Sequence, residues 1–261
     1  MTSKNLFLSK IQTAYECPRK YFHSYHSCLG PKEKPDYFQT GTDFHECVEV
    51  LLTEGPEKAY EKAESVSNEM MFYLKVFAEK FYDLNPAVLG TERPVIMPIN
   101  NNKFFDAWVV KSDSTLQLKN GALWNGEWKT AGGYGASTAR YYYNSLQTLT
   151  YNYVIKKHMP DIRGTKLFVV TKTKTPVCHV EDIMISQKDL DRAELFIEDA
   201  IEYLTEIEER AEYPRHQTSC THARQQECMF LPICFEKNEN YVNEIIPNLY
   251  SIHDPDAHLE L

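Results

Sequence analysis

The sequence predicts an α/β protein with a helical N-terminal annex, on three observations. Apolar residues recur at three and four spacing through the first third of the chain. β-type runs begin near Thr91. Helical and strand patterns then alternate to about residue 210. In order, "LSKIQTAYECPRKYFHSY" is helical and broken at Pro18, "GTDFHECVEVLLTEG" is a second helix, and "EKAYEKAESVSNEMMFYLKVFAEKFYDL" divides into two more. The runs "RPVIMPI", "KFFDAWVV" and "GALWNGEWK" read as strands, separated by Asn-Asn, Ser-Asp and Asn-Gly turn signals. One long helical pattern follows in "STARYYYNSLQTLTYNYVIKKHM". Two strand candidates come next, "TKLFVVTKT" and "VCHVEDIMI", then a charged helix from about Lys188 to Arg210 and a cysteine-rich tail.

The 261 residues, 43% hydrophobic and 25% charged, are enough to bury a sizeable core. No run approaches the roughly 20 apolar residues that a membrane helix needs, and "MTSKNLFLSK" lacks the apolar stretch of a secretory signal, so a soluble, cytoplasmic protein with no membrane partner is expected. The formal charge of −9 argues against whole-surface attraction to nucleic acid, while leaving room for a local basic groove. Seven cysteines, an odd number, suit metal ligation or burial better than a disulfide framework in a reducing compartment. A Walker A loop is missing because no Gly is followed by Lys, so no ATP-driven motor is expected in this sequence.

The middle strands carry the chemistry. Strand alternation sends Glu127 and Lys129 to one face, and Asp106 lies on the strand element before. Two carboxylates can hold a hard cation that polarises a phosphate and activates its water, while a nearby ammonium offsets developing charge. Gln147 and Tyr151 share a helix face at i, i+4, and His45 sits in an amphipathic helix. Each of these features has an ordinary reading as a solvated charge or a satisfied polar side chain. Their order along the chain is the stronger signal.

That order, His, Asp, Glu-x-Lys, Gln-x-x-x-Tyr, resembles the RecB-like branch of the PD-(D/E)XK nuclease superfamily, over Ser9 to Cys234. The resemblance implies a nuclease core, a central mixed sheet flanked by helices, in a single domain over 1–261. Its expected parts are an annex over 1–88 holding the first cysteine and His45, a catalytic sheet and helix over 89–185, and a helix with the cysteine-rich segment over 186–261. It implies His45, Asp106 and Glu127 as ligands of Mg2+ or Mn2+, Lys129 as the catalytic lysine, and Gln147 with Tyr151 as the helix pair supporting the site. Thr130 after Lys129 also fits the family habit. Two features depart from it: Phe104-Phe105 stands where a glycine often precedes the aspartate, and the acid before x-Lys is glutamate.

"YECPRKYFHSY", with Cys17, and "SCTHARQQECMFLPIC", with Cys220, Cys228 and Cys234, resemble the iron-sulfur form of this family, seen in AddB-type and CRISPR-associated RecB-like nucleases. Four thiolates holding a [4Fe-4S] cluster would staple the N-terminal annex to the C-terminal segment across a very long loop. Zinc held by three thiolates with Cys17 or His222, or unligated thiols, are the alternatives. Cys28, Cys47 and Cys178 read as small buried residues.

The function implied is metal-dependent exonucleolytic hydrolysis of DNA ends in recombination, repair or phage DNA processing. The alternatives are a CRISPR-adaptation nuclease that trims fragments for integration, or a non-catalytic DNA-binding scaffold subunit, which would have no need of Glu127 beside Lys129. The expected partner is DNA, single-stranded or end-containing, with a helicase or recombination partner supplying any unwinding. Phosphate contacts are expected from Arg19, Lys20, Arg140, Lys172 and Lys174, and base stacking from the run Tyr141 to Tyr143, with Tyr143 as the candidate.

Overall fold

The computed structural model describes residues 4–32, 36–220, 227–255 and 257. His222 lies outside them. The chain forms two compact units: residues 1–34, 96–109 and 196–261 in the first, and 35–95 with 110–195 in the second.

In the first unit, β1 (Asn5–Leu6) pairs in parallel with β5 (Ala107–Lys111), in register Asn5↔Ala107 and Leu6↔Trp108. Helix α1 (Leu8–Glu16) ends where Cys17 turns extended, φ −165°, and α2 (Pro18–Tyr21) restarts with proline at its first turn, where the missing N–H costs nothing. One turn of π-helix (Phe22–His26) continues to β2 (Leu29–Pro31), which pairs antiparallel with the C-terminal β10 (Tyr250–Ile252). Leu29, Phe230, Ile233 and Tyr250 form the buried cluster beneath that ribbon. The C-terminal part of α8 (Gln187–Arg210) belongs here: Tyr203 stacks on Tyr15 at 4.8 Å, and buried Tyr21 donates its hydroxyl to Glu208 at 2.6 Å. Helices α9 (Leu231–Cys234) and α10 (Glu239–Leu249) complete the unit.

The second unit is built on a five-stranded sheet, order β3-β6-β7-β8-β9. Its strands are β3 (Ala87–Thr91), β6 (Ser114–Gln117), β7 (Leu123–Ala131), β8 (Ile162–Thr171) and β9 (Cys178–Met184); β4 (Pro94–Pro98) pairs with β5 in a separate sheet. β7 and β8 are parallel and the other neighbours antiparallel, which makes the sheet mixed. A parallel pair requires a crossover, supplied by α6 (Ala136–Tyr143) and α7 (Leu146–His158). The helical pattern over "STARYYYNSLQTLTYNYVIKKHM" is therefore two helices. Ser145 divides them because its hydroxyl accepts the Thr148 N–H at 3.1 Å and caps α7.

Helices α3 (Asp36–Thr53), α4 (Pro56–Val66) and α5 (Asn68–Leu84) pack through Phe44, Leu51, Leu74 and Phe77 against Trp124, Trp128 and Phe168 of the sheet. Alternation along β7 puts the two tryptophans in that core and turns Asn125, Glu127 and Lys129 to the other face, toward α7. The short strand β6 was not expected. Its Ser114↔Gly126 pair closes the β6–β7 ladder, and a Cβ on Gly126 would meet Ser114 Oγ at 2.2 Å, so any side chain before Glu127 would force Ser114 to shift. No helix among the described residues is long and apolar enough to cross a membrane.

Candidate active site

The second unit gathers His45 of α3, Glu127 and Lys129 of β7, and Gln147 with Tyr151 of α7. The acid beside His45 is Asp113, not the expected Asp106. Asp106 lies in the first unit with its side chain 63% exposed, facing Lys4 at 3.5 Å, an ion pair of small energetic consequence. Asp113 is buried, and its Oδ1 lies 3.3 Å from His45 Nδ1. Its Oδ2 accepts the Trp128 N–H at 2.7 Å, beyond the last β6–β7 pair, so the carboxylate takes over an acceptor position of the ladder. The Ser-Asp dipeptide read as a turn signal is the connection between β5, which ends at Lys111, and β6, which starts at Ser114, and it carries its acid turned inward.

Glu92 is the second residue that the sequence reading missed. It adopts the left-handed region, φ 50°, its N–H is bonded to Asp113 O at 3.1 Å, and Lys111 faces its carboxylate at 3.2 Å. One ligand atom each from His45, Glu92 and Asp113 lie within 4.8 Å of one another. No local pattern marks Glu92, because its place depends on the β3–β6 pairing. Glu127 stands next to this group, its Oε1 bonded both to Lys129 Nζ and to Gln147 Nε2, the latter at 2.8 Å. Behind it Asn125 Nδ2 and Asn152 Nδ2 both donate to Thr165 Oγ1, at 3.2 and 2.7 Å, seating α7 on β7 and β8 through polar groups.

The crowding of acids sets the protonation. Burial and then Asp113 push the Glu127 carboxyl up to about 7, against the pull of Lys129 and His45. Burial also raises Glu92, with Asp113 adding to it and Lys111 opposing. Burial raises Asp113 too, but His45, Lys129 and the Trp128 N–H outweigh it and hold that carboxyl low. Burial opposes charge on His45 and on Lys129 as well. Asp113 nevertheless raises His45, and Glu127 with Asp113 raises Lys129. Burial and Glu127 keep the Tyr151 phenol protonated. The site thus holds one firm carboxylate, one firm ammonium and a glutamate poised at neutral pH.

The four cysteines of the resemblance all lie in the first unit. Cys17 is buried at the α1–α2 break, and its Sγ accepts the His216 N–H at 3.5 Å; Cys220 Sγ donates to His216 O at 3.8 Å, and the Cys228 N–H bonds Cys220 O at 2.9 Å. Burial raises the thiols of Cys228 and Cys234, and each also senses Cys17. Cys47 and Cys178 are buried in the large core, and Cys28 is half-buried with φ 52°. Of the expected phosphate contacts, Lys20 pairs with Glu16 at 2.8 Å and Arg19 lies over the Phe22 ring, while Arg140 and Lys174 are exposed in the second unit. The Lys172 N–H bonds Ala131 O at 2.6 Å, and Tyr143 donates its hydroxyl to Asp182 O at 3.1 Å.

A family profile described as the PD-(D/E)XK nuclease superfamily matches residues 7–93, a third of the chain, which includes His45 and Glu92 and stops before Glu127. A crystal structure of a protein from Eubacterium rectale, named as a putative exonuclease, matches at 12% identity and a TM-score of 0.54, over 86% of this chain and 89% of that one. The profile likens that third of the chain to the PD-(D/E)XK nuclease superfamily. At that identity the structural likeness speaks for the fold alone: a mixed sheet flanked by helices. A second structure, the protein SSO0001, is similar at 13% identity over 78% of each chain, with a TM-score of 0.37, too low to carry an argument. No curated protein matches the chain.

Proposed function

We propose that the chain is a divalent-metal-dependent deoxyribonuclease that hydrolyses DNA from its ends. The observation that carries the reading is the cluster of His45, Asp113 and Glu92 beside the Glu127–Lys129 pair, with Gln147 bonded to Glu127. Carboxylate oxygens with one imidazole suit Mg2+ or Mn2+, so His45, Asp113 and Glu92 fit the ion, and Glu127 beside them would add a further carboxylate. The bound ion would polarise the scissile phosphate and lower the pKa of its water. Lys129, kept charged by its acidic neighbours, stabilises the negative charge that develops on the phosphate. Gln147 fixes the Glu127 carboxylate, and Tyr151 presents a protonated phenol to the same cavity.

The [4Fe-4S] cluster belongs to the same proposal. Cys17, Cys220, Cys228 and Cys234 fit it: the first follows α1 and the others come from the C-terminal segment, with Cys228 and Cys234 both sensing Cys17. Anaerobically purified protein should show the visible absorption of such a cluster, lost in Cys228→Ser. The exonuclease name of one fold neighbour is in keeping with hydrolysis from DNA ends. The test is cleavage of end-labelled linear DNA, single- and double-stranded, beside closed circles, with magnesium or manganese. Shortening of linear DNA by the wild type and silence of Glu127→Ala are expected. Equal cutting by both proteins would remove the site assignment.

A further inference from the structure

Three consecutive tyrosines on α6 point three ways, as successive residues of a helix must. Tyr143 is tied by its hydroxyl to Asp182 O of β9. Tyr141 is 69% exposed and meets Tyr142 edge-on, ring centroids 5.4 Å apart at 73°. Tyr142 turns inward: its ring packs on the buried cluster of Leu167, Val169 and Ile183, and the residue lines the small cleft shared by Glu127, Lys129, Gln147 and Tyr151. Among the described residues the Tyr142 hydroxyl has no hydrogen-bond partner, whereas the phenols of Tyr134, Tyr143 and Tyr153 all have one. Burial raises the Tyr142 phenol, and its titration senses both Lys129 and Glu127, so the group is a protonated donor beside the reacting pair at neutral pH.

The segment leading to α6 is rich in glycine. Gly132, Gly133 and Gly135 follow β7 directly, and a Cβ on any of them would meet nothing within 4 Å. The β8–β9 hairpin reaches the same end of the sheet, since Ala131 pairs with Thr171 and the Lys172 N–H bonds Ala131 O. A chain with phosphates and flat bases therefore meets an exposed ring at Tyr141 and an inward donor at Tyr142, with the exposed Arg140 next to Tyr141 in the chain.

We infer that Tyr142 is a further catalytic residue, donating its O–H to the phosphate held against Glu127 and Lys129, and that Tyr141 stacks on an unpaired base of the same strand, so that the site takes single-stranded DNA. The inference rests on the nuclease reading and names its substrate class. A donor aimed at the reacting phosphate acts in the transition state, so its loss falls on kcat. A stacking ring acts on the bound strand, so its loss falls on affinity.

The experiment uses the full chain as wild type, Glu127→Gln, Tyr142→Phe and Tyr141→Ala, with a single-stranded oligonucleotide carrying 2-aminopurine and the matching duplex. Cleavage is followed in manganese and binding in calcium. Tyr142→Phe should lower kcat about 10- to 100-fold with KM within about two-fold. Tyr141→Ala should raise the Kd for the single strand about 5- to 100-fold, reduce the quenching of 2-aminopurine, and leave the duplex unaffected. A Tyr142→Phe protein that cuts as fast as wild type would overturn the catalytic role, because a merely packed ring tolerates phenylalanine. Unchanged single-strand affinity in Tyr141→Ala would overturn the stacking role. If the wild type cuts neither DNA, the nuclease reading and the catalytic role of Tyr142 fail together, and the binding arm still decides the stacking role: weaker single-strand binding in Tyr141→Ala upholds it, while no binding by the wild type or equal binding by Tyr141→Ala ends it.

Discussion

Replacing Glu127 by glutamine removes a carboxylate that the fold holds at a cost. Burial and Asp113 push this carboxyl from its ordinary 4.5 up to about 7, with the relief from Lys129 already included. Between those two values the folded protein binds more protons than the unfolded chain, so stability falls as pH rises from about 4.5 to about 7. At pH 8 the whole gap counts, and at 1.36 kcal/mol for each pH unit it comes to about 3 kcal/mol. Glutamine matches the protonated acid in shape and never ionises. The metal-free Glu127→Gln protein should therefore be more stable than wild type by about that amount at pH 8 and by less than about 1 kcal/mol at pH 5. For a chain of this size the gain at pH 8 corresponds to roughly 6–10 °C in Tm. Thermal unfolding in EDTA at the two pH values is the assay. A Tm at pH 8 equal to or below that of wild type would refute the reasoning, and an equal gain at pH 5 would show that packing, not charge, is responsible.

Two further outcomes follow from the same geometry. Manganese should bind more tightly as pH rises from 6 to 8, because Glu127 must release its proton to act as a ligand; calorimetry in buffers of different ionisation enthalpy would detect the released proton. Gly126→Ala should lower stability by about 1–3 kcal/mol in denaturant unfolding, since its methyl would meet Ser114 Oγ and Leu116 in the strand that carries Glu127.

The parts of the site that were legible in the sequence are those governed by local periodicity. Period two puts Glu127 and Lys129 on one face of β7, period 3.6 puts Gln147 and Tyr151 on one face of α7, and the structure turns both faces to one cavity. What depends on where a ladder ends was not legible. Asp113 follows a strand inside a Lys-Ser-Asp-Ser stretch with the composition of a turn, and only the ending of the β6–β7 pairing at Ser114↔Gly126 brings its carboxylate to Trp128 N–H and His45. Asp106, beside an apolar run, has the better strand context, yet it precedes β5 and faces Lys4 in solvent. Glu92 illustrates the same limit, since its left-handed backbone and its approach to Asp113 come from pairing across β3 and β6. The split between α6 and α7 could have been read from Asn144-Ser145, a capping signal inside an otherwise continuous helical pattern.

The choice between the two aspartates tests the assembled site most directly. Rates of cleavage of end-labelled single-stranded DNA in manganese would be compared for wild type, Asp113→Asn and Asp106→Asn, with Tm recorded for each. The account predicts a loss of at least about 100-fold for Asp113→Asn and a rate within about two-fold of wild type for Asp106→Asn, both folded. Full activity in Asp113→Asn together with loss in Asp106→Asn would contradict it.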